Sequence, residues 1–166
     1  GAGLGRIRYK DLNGDHIIDD KDRTWIGSPH PVIQYGINIS LEWYGVDLSL
    51  FFQGVAGNDV INELKYHTDF WAVSETGSNK GARLLDAWTP QNSSSTIPAV
   101  TMDNSNDEGR FSTYFVENGS YFKLRNVQLG YSLPKKWQEK MRATKFRLYV
   151  SAQNLFTIES KSFTGV

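Results

Sequence analysis

Residues 32–54, VIQYGINISLEWYGVDLSLFFQG, hold two adjacent runs of apolar/polar alternation. In the first, Ile33, Tyr35, Ile37, Ile39, Leu41 and Trp43 fall on one face, and Gln34, Gly36, Asn38, Ser40 and Glu42 on the other. After Tyr44-Gly45, Val46, Leu48, Leu50 and Phe52 share a face opposite Asp47, Ser49 and Gln53, and only Phe51 breaks the pattern. Side chains alternate faces along a strand, so the spacing predicts a long β-hairpin with one oily face and one wet face. Each strand has roughly the 9–11 residues that a barrel strand needs to cross a bilayer. A soluble sandwich with its oily face on a core satisfies the same alternation.

Working outward, residues 1–31 are polar and turn-rich, closed by Pro29 and Pro31. Residues 55–120 form a long irregular stretch with one helix expected near Val60–Val73, then the loop signals Gln91–Thr96 and Asp103–Gly109. A structureless connection of that length argues for a functional loop. A third strand is expected over Tyr121–Leu133, with its phase flipping near Arg125-Asn126 as a bulge would make it. Lys135–Arg142 reads as a short charged helix or turn, and Phe146–Phe156 as a fourth strand. The connections are short at Tyr44-Gly45, long over 55–120, and short again at Pro134–Lys145. Bacterial barrels alternate short periplasmic turns with long extracellular loops, and this asymmetry favours a barrel over a sandwich. The expected fold is therefore all-β and mainly antiparallel: a partial outer-membrane β-barrel sheet of about four strands with a long, partly helical loop. The chain divides into a polar segment (1–31), a hairpin (32–54), an extracellular-type loop (55–120) and two further strands (121–166), as one truncated barrel segment. In water the apolar face of the hairpin is expected to self-associate, or to be covered by the 55–120 loop and the Lys135–Arg142 segment.

Composition closes other routes. The 166 residues suffice for one domain. There is no cysteine, hence no disulfide framework and no thiolate metal site. Lys+Arg and Asp+Glu both number 18, so no basic footprint for nucleic acid exists. Mean hydropathy is −0.45 and no apolar run approaches a membrane helix, which leaves a barrel open because its strands are half polar.

The sharpest local motif runs from Asp11 to Asp22. Oxygen side chains stand at loop positions 1, 3, 5, 9 and 12 (Asp11, Asn13, Asp15, Asp19 and Asp22), with Ile17 at the backbone-carbonyl position. A hard cation such as Ca²⁺ wants several oxygens aimed inward by a tight turn. His16 stands where such loops carry Gly, and an Asp/Asn-rich turn held by side-chain-to-backbone bonds uses the same residues. Tyr66, Phe70, Trp71 and Trp88 in the long loop are candidates for substrate or partner contact, or for the loop's own core. Trp43 and Tyr44 at the hairpin end suit an interfacial girdle. His16, His30 and His67 have no zinc-ligand spacing, and no nucleophile elbow or Ser/His/Asp set suggests an enzyme.

Ile7-Arg8-Tyr9-Lys10-Asp11-Leu12-Asn13-Gly14-Asp15, Asp19–Thr24, Ile26–Pro29, Tyr35–Asn38 and Gly45–Gly54 follow one another in a familiar order. So do Trp88–Asn92, Asn118–Tyr121, Leu129-Gly130-Tyr131-Ser132-Leu133-Pro134 and Leu148–Phe156. The ordered set covers nearly the whole chain and resembles the C-terminal part of the SusC/RagA family of TonB-dependent outer-membrane transporters. The resemblance implies a Bacteroidetes outer-membrane barrel of about twenty-two strands, with a plug domain and a SusD-like lipoprotein partner. It implies glycan or peptide import powered through TonB. No plug, TonB box or carboxypeptidase-like domain is present, and family members continue into at least one more strand. The chain is thus expected to be a fragment that cannot close a barrel or transport alone. The alternative is a secreted, Ca²⁺-stabilised β-module that binds carbohydrate.

Overall fold

The computed structural model of the chain describes residues 3–73 and 77–164. Its strands are β1 (Ile33–Trp43), β2 (Val46–Ala56), β3 (Asp59–Ile61), β4 (Val116–Asn118), β5 (Tyr121–Ser132) and β6 (Arg147–Glu159). Helices are short: α1 (Leu64–Thr68), α2 (Lys135–Lys140) and three 3₁₀ turns, Asp20–Asp22, Ala82–Asp86 and Thr113–Phe115. Four strands form one antiparallel sheet in the order β1-β2-β5-β6, and β3 pairs with β4. The sheet belongs to a unit made of Ser28–Asp59 and Asn118–Phe163. A second unit is built from the segment ending at Gly27, from Val60–Glu117 and from Thr164.

The hairpin turns where the sequence places it. Tyr44 and Gly45 have φ of 46° and 86°, so both central residues are left-handed, as a two-residue turn between twisted strands requires. Trp43 pairs with Val46, and the register runs unbroken to Ile33 opposite Ala56. The predicted phase flip is a pair of bulges. Against β2, Arg125 is the extra residue, because Phe51 pairs with Asn126 and Phe52 with Leu124. Against β6 the surplus falls on the other strand, where Asn154 takes a φ of 51°. The bulge adds one residue and so restores the apolar phase on both sides of it.

One sheet face consequently carries five apolar rows. They are Trp43–Val46–Tyr131–Leu148, Leu41–Leu48–Leu129–Val150, Ile39–Leu50–Val127–Ala152, Ile37–Phe52–Leu124–Phe156 and Tyr35–Gly54–Phe122–Ile158. Phe122 stacks on Phe52 at 5.5 Å and on Tyr35 at 6.2 Å between ring centres. Along these rows only Leu124 among the large side chains is buried, while Leu41 is 57% and Val150 73% exposed. Ile37, Ile39 and Leu41 are all open in this chain.

Several boundaries shift. The helix expected near Val60–Val73 shrinks to Leu64–Thr68, because Val60 and Ile61 are taken up by the β3–β4 pair. The charged turn is helical over Lys135–Lys140 only, and the last strand runs on to Glu159. The core of the second unit is aromatic and ionic. Phe70 and Phe115 are buried, with ring centres 5.9 Å apart, and Tyr114 meets Phe70 edge-on at 5.5 Å.

Candidate functional site

The opposite face of the sheet is polar and holds a cleft that the sequence reading did not isolate. About 370 Å³ opens beside the bulges, lined by Phe51, Gln53, Tyr121, Lys123, Arg125, Asn126, Gln153 and Asn154. The extra residue in each strand brings these side chains together. Arg125 Nη1 donates to Gln53 Oε1 at 2.6 Å, and Lys123 Nζ stands 5.0 Å from the centre of the Tyr121 ring. No carboxylate among the lining residues neutralises the two cations. Towards the hairpin end of this face, Arg147 forks onto Asp47, its Nε donating to Oδ1 at 3.0 Å. The pair joins β2 to β6 across Gly130, where a Cβ would stand 2.5 Å from Asp47 Oδ1. The missing side chain is what lets the two charges meet.

The Asp11–Asp22 segment closes on itself. Asp11 accepts from the amides of Gly14 (2.6 Å) and His16 (2.8 Å), Asn13 from Asp15 (2.9 Å), and Asp15 from Ile17 (2.9 Å). Asp22 accepts from the amides of Leu12 at 2.8 Å and Asp19 at 2.9 Å, the latter closing a capping box on the 3₁₀ turn. Those backbone donors hold its carboxyl below the usual range. His16 adopts a φ of 64°, so the backbone makes the reversal without the usual Gly. Among the described residues no three His, Cys, Asp or Glu side chains gather as a metal cluster. The side-chain-to-backbone turn is thus fully formed.

The four loop aromatics separate. Phe70 is 4% exposed and belongs to the core, so it offers no contact surface. The Trp88 ring lies against Gly5, and its amide donates to Ile97 O at 2.9 Å. Tyr66 packs beside Gly109 and meets the His67 ring edge-on at 5.2 Å. Trp71 is half-buried.

Around Phe70 and Phe115 the second unit is held by charge. Lys65 Nζ lies 2.7 Å from Glu117 Oε1 and donates to Tyr114 O at 3.0 Å. Glu117 also accepts from Asn62 Nδ2 (3.2 Å), Thr164 N (3.0 Å) and Thr164 Oγ1 (2.5 Å). Burial disfavours its ionised form, but the bonds from Lys65 and Thr164 outweigh that and hold its pKa down at about 2. Tyr114 donates to Asp69 Oδ2 at 2.6 Å, and burial followed by that bond pushes its phenol far up. Arg6 donates to Glu108 Oε1 at 2.6 Å, fastening the first described segment to the 103–110 loop together with Tyr9 Oη to Asp107 O at 2.7 Å. Burial, then the Asp107 charge, raises Tyr9 to about 12. This is a built loop domain, not a slack connection.

No protein-family model matches the chain. The TonB-dependent receptor P3 of Formosa agariphila is 34% identical over 152 residues, which cover 90% of this chain and 14% of that protein. The TonB-dependent receptor SusC of Bacteroides thetaiotaomicron is 25% identical over 151 residues, again 90% of this chain and 14% of that protein. Among solved structures, that of the RagAB peptide transporter superposes with a TM-score of 0.72 at 27% identity, covering 89% of this chain and 16% of that one. The chain thus spans about one seventh of the length of the curated relatives it matches. With the ordered motifs, the four-stranded sheet and these likenesses in agreement, the chain is a segment of a TonB-dependent receptor of the SusC/RagA family.

Proposed function

We propose that this segment supplies four barrel strands and a surface loop domain to an outer-membrane nutrient importer that is energised through TonB, works with a SusD-like lipoprotein, and takes up a glycan or peptide. The observation that carries the proposal is the uninterrupted apolar face across β1, β2, β5 and β6, left exposed while the opposite face is polar. A soluble module would have to bury that face, whereas lipid accepts it as it stands. Tyr35 and Trp43 mark its two ends, eight residues apart. At about 3.4 Å per residue and a tilt near 40°, that separation spans about 21 Å of membrane, close to the ~25 Å apolar band of such barrels. The polar face, with the cleft at Lys123 and Arg125, then lines the lumen. Peptide is the favoured substrate class because the superposed RagAB structure is that of a peptide transporter.

The topology follows from the connections. The Tyr44-Gly45 turn and α2 lie at one end of the sheet, where Ser132 N donates to Gly45 O at 2.7 Å and Leu133 N to Phe146 O at 3.1 Å. The 57–120 connection leaves from the other end. The proposal puts the first end in the periplasm and the loop domain outside. A protease site inserted at Ser94 of the full receptor should be cut on intact cells, and the same site inserted at Lys140 should be cut only after the outer membrane is opened. Cleavage of the Lys140 site on intact cells would sink the proposal. Ca²⁺ at Asp11, Asn13, Asp15, Ile17, Asp19 and Asp22 is a secondary proposal, supported by the spacing and by the left-handed turn at His16.

A further inference from the structure

We propose that α2 and its flanks form a binding surface for the headgroups of anionic phospholipids, with Lys136, Lys140 and Arg142 pairing phosphates and Trp137 seated at headgroup depth. The inference rests on the membrane reading above and deepens it by naming a lipid class for one end of the barrel. Three observations carry it.

The first is charge. The chain is neutral overall, yet Lys135–Lys145 holds five cations and one acid, Glu139. None of those cations pairs with a carboxylate among the described residues. Such an exposed, unpaired cluster is free to meet an anionic surface.

The second is the pattern along the helix. Trp137 and Met141 are one turn apart and share a face, and so do the adjacent Lys136 and Lys140. Trp137 is 60% and Met141 47% exposed. Gln138 turns back on the protein instead, half-buried with its Nε2 donating to Leu133 O at 2.5 Å, while Ala143 N donates to Gln138 O at 3.0 Å and closes the helix end. An exposed aromatic ridge flanked by lysines is the arrangement of an interfacial helix, whose ring sits among headgroups while ammonium groups reach phosphate. Arg142 takes a φ of 54° as its amide closes the helix on Glu139 O, which sets the direction of the chain after it.

The third is continuity. Ser132 at the end of β5 and Arg147 at the start of β6 are membrane strands in this reading, so the residues between them lie at the membrane boundary. The last apolar row, Trp43–Val46–Tyr131–Leu148, ends at this same edge, where Trp43 and Tyr44 are 75% and 88% exposed. Lipid already lies against that row, and the basic surface begins where its headgroups must be.

The test uses the full receptor in nanodiscs, with bimane on Glu139→Cys and nitroxide on a trace headgroup-labelled lipid. Bilayers of phosphatidylcholine alone are compared with bilayers containing 30% phosphatidylglycerol. The expected result is stronger quenching with phosphatidylglycerol, relieved between 50 and 500 mM salt. Lys136→Gln with Lys140→Gln should abolish the difference, and Lys136→Arg with Lys140→Arg should keep it. Equal quenching in both bilayers, or a difference that survives the glutamines, would overturn the proposal. So would a preference for lipopolysaccharide over phosphatidylglycerol, which would assign this end to the other leaflet. Bimane on Leu41→Cys with chain-labelled lipid separates the two claims: quenching there with no charge effect at Glu139 removes only the headgroup site, while no quenching at Leu41 removes the membrane reading and this site with it.

Discussion

Replacing Glu117 by Gln should loosen the loop domain by about 3 kcal/mol. In the folded chain the carboxylate is 4% exposed and takes four hydrogen bonds or ion-pair contacts from Lys65, Asn62 and Thr164. Its pKa falls from 4.5 to about 2, which corresponds to about 3 kcal/mol of stability. The folded value is the depressed one, so the contribution is complete above pH 4.5 and is lost as pH falls towards 2. A second route gives a similar size: stripping the partner from a buried cation costs ~3–5 kcal/mol, and Lys65 is 9% exposed. Glutamine keeps the shape but removes the charge: the Lys65 ammonium is left with neutral partners, among them the Tyr114 carbonyl and ring, and an amide NH2 replaces one of the two oxygens that accept from Lys65, Asn62 and Thr164. Amide exchange in the full receptor, read at Lys65–Phe70 and Tyr114–Glu117, should accelerate roughly 100-fold at pH 7. The same amides of the unaltered protein should lose protection below pH 4, and the variant should not respond. Pairing the change with Lys65→Met should recover part of the loss, because an apolar pair leaves no buried charge. Acceleration below fivefold at pH 7, or an unchanged acid response in the variant, would refute the reasoning.

Other expectations follow from single contacts. Gly130→Ala puts a Cβ 2.5 Å from Asp47 Oδ1 and 2.7 Å from Arg147 Nη2, so the fork across β5 should open and double-mutant cycles on Asp47 and Arg147 should lose their coupling in that background. Gly45→Val forces a β-branched residue to a φ of 86° with its Cβ 2.8 Å from Ser132 O; it should cost about 1–2 kcal/mol or more, seen as a lower fraction of barrel folded in detergent. If Ca²⁺ binds the Asp11–Asp22 loop, adding it should raise the loop domain's melting temperature and Asp15→Ala should abolish the rise. No shift at about ten millimolar Ca²⁺ leaves the hydrogen-bonded turn as the whole explanation.

The hairpin was legible because strict alternation admits one pairing: a slip of one residue would turn Ile37, Ile39 and Leu41 to the wrong face. The bulge was legible for the same reason, since Leu124 and Val127 can share a face only if one extra residue stands between them. The loop domain was not legible. Its stability comes from contacts distant in sequence, such as Arg6 to Glu108 and Glu117 to Thr164, which leave no periodic trace. Local composition marked 91–96 and 103–109 only as loop signals and did not show that Asn104, Asn106 and Glu108 are fixed by hydrogen bonds. The cleft at Lys123 and Arg125 escaped for a related reason: it needs three strands and two bulges in register before its residues become neighbours. Phe70 read as either a contact or part of the loop's own core, because an aromatic in a loop looks the same in sequence whether it faces out or packs on Phe115.

The central claim is that one face of this sheet meets lipid and the other does not. Nitroxide side chains placed one at a time from Ile37 to Glu42 in the full receptor, in bilayers, test it most directly. Relaxation by oxygen, which concentrates in lipid, should peak at Ile37, Ile39 and Leu41 and fall at Asn38, Ser40 and Glu42, with the water-soluble nickel reagent failing to follow the first set. The same alternation should recur on β6, with Leu148 and Val150 high and Tyr149 and Ser151 low. A flat profile, or one in which Ser40 and Ser151 take the oxygen peaks, would contradict the account.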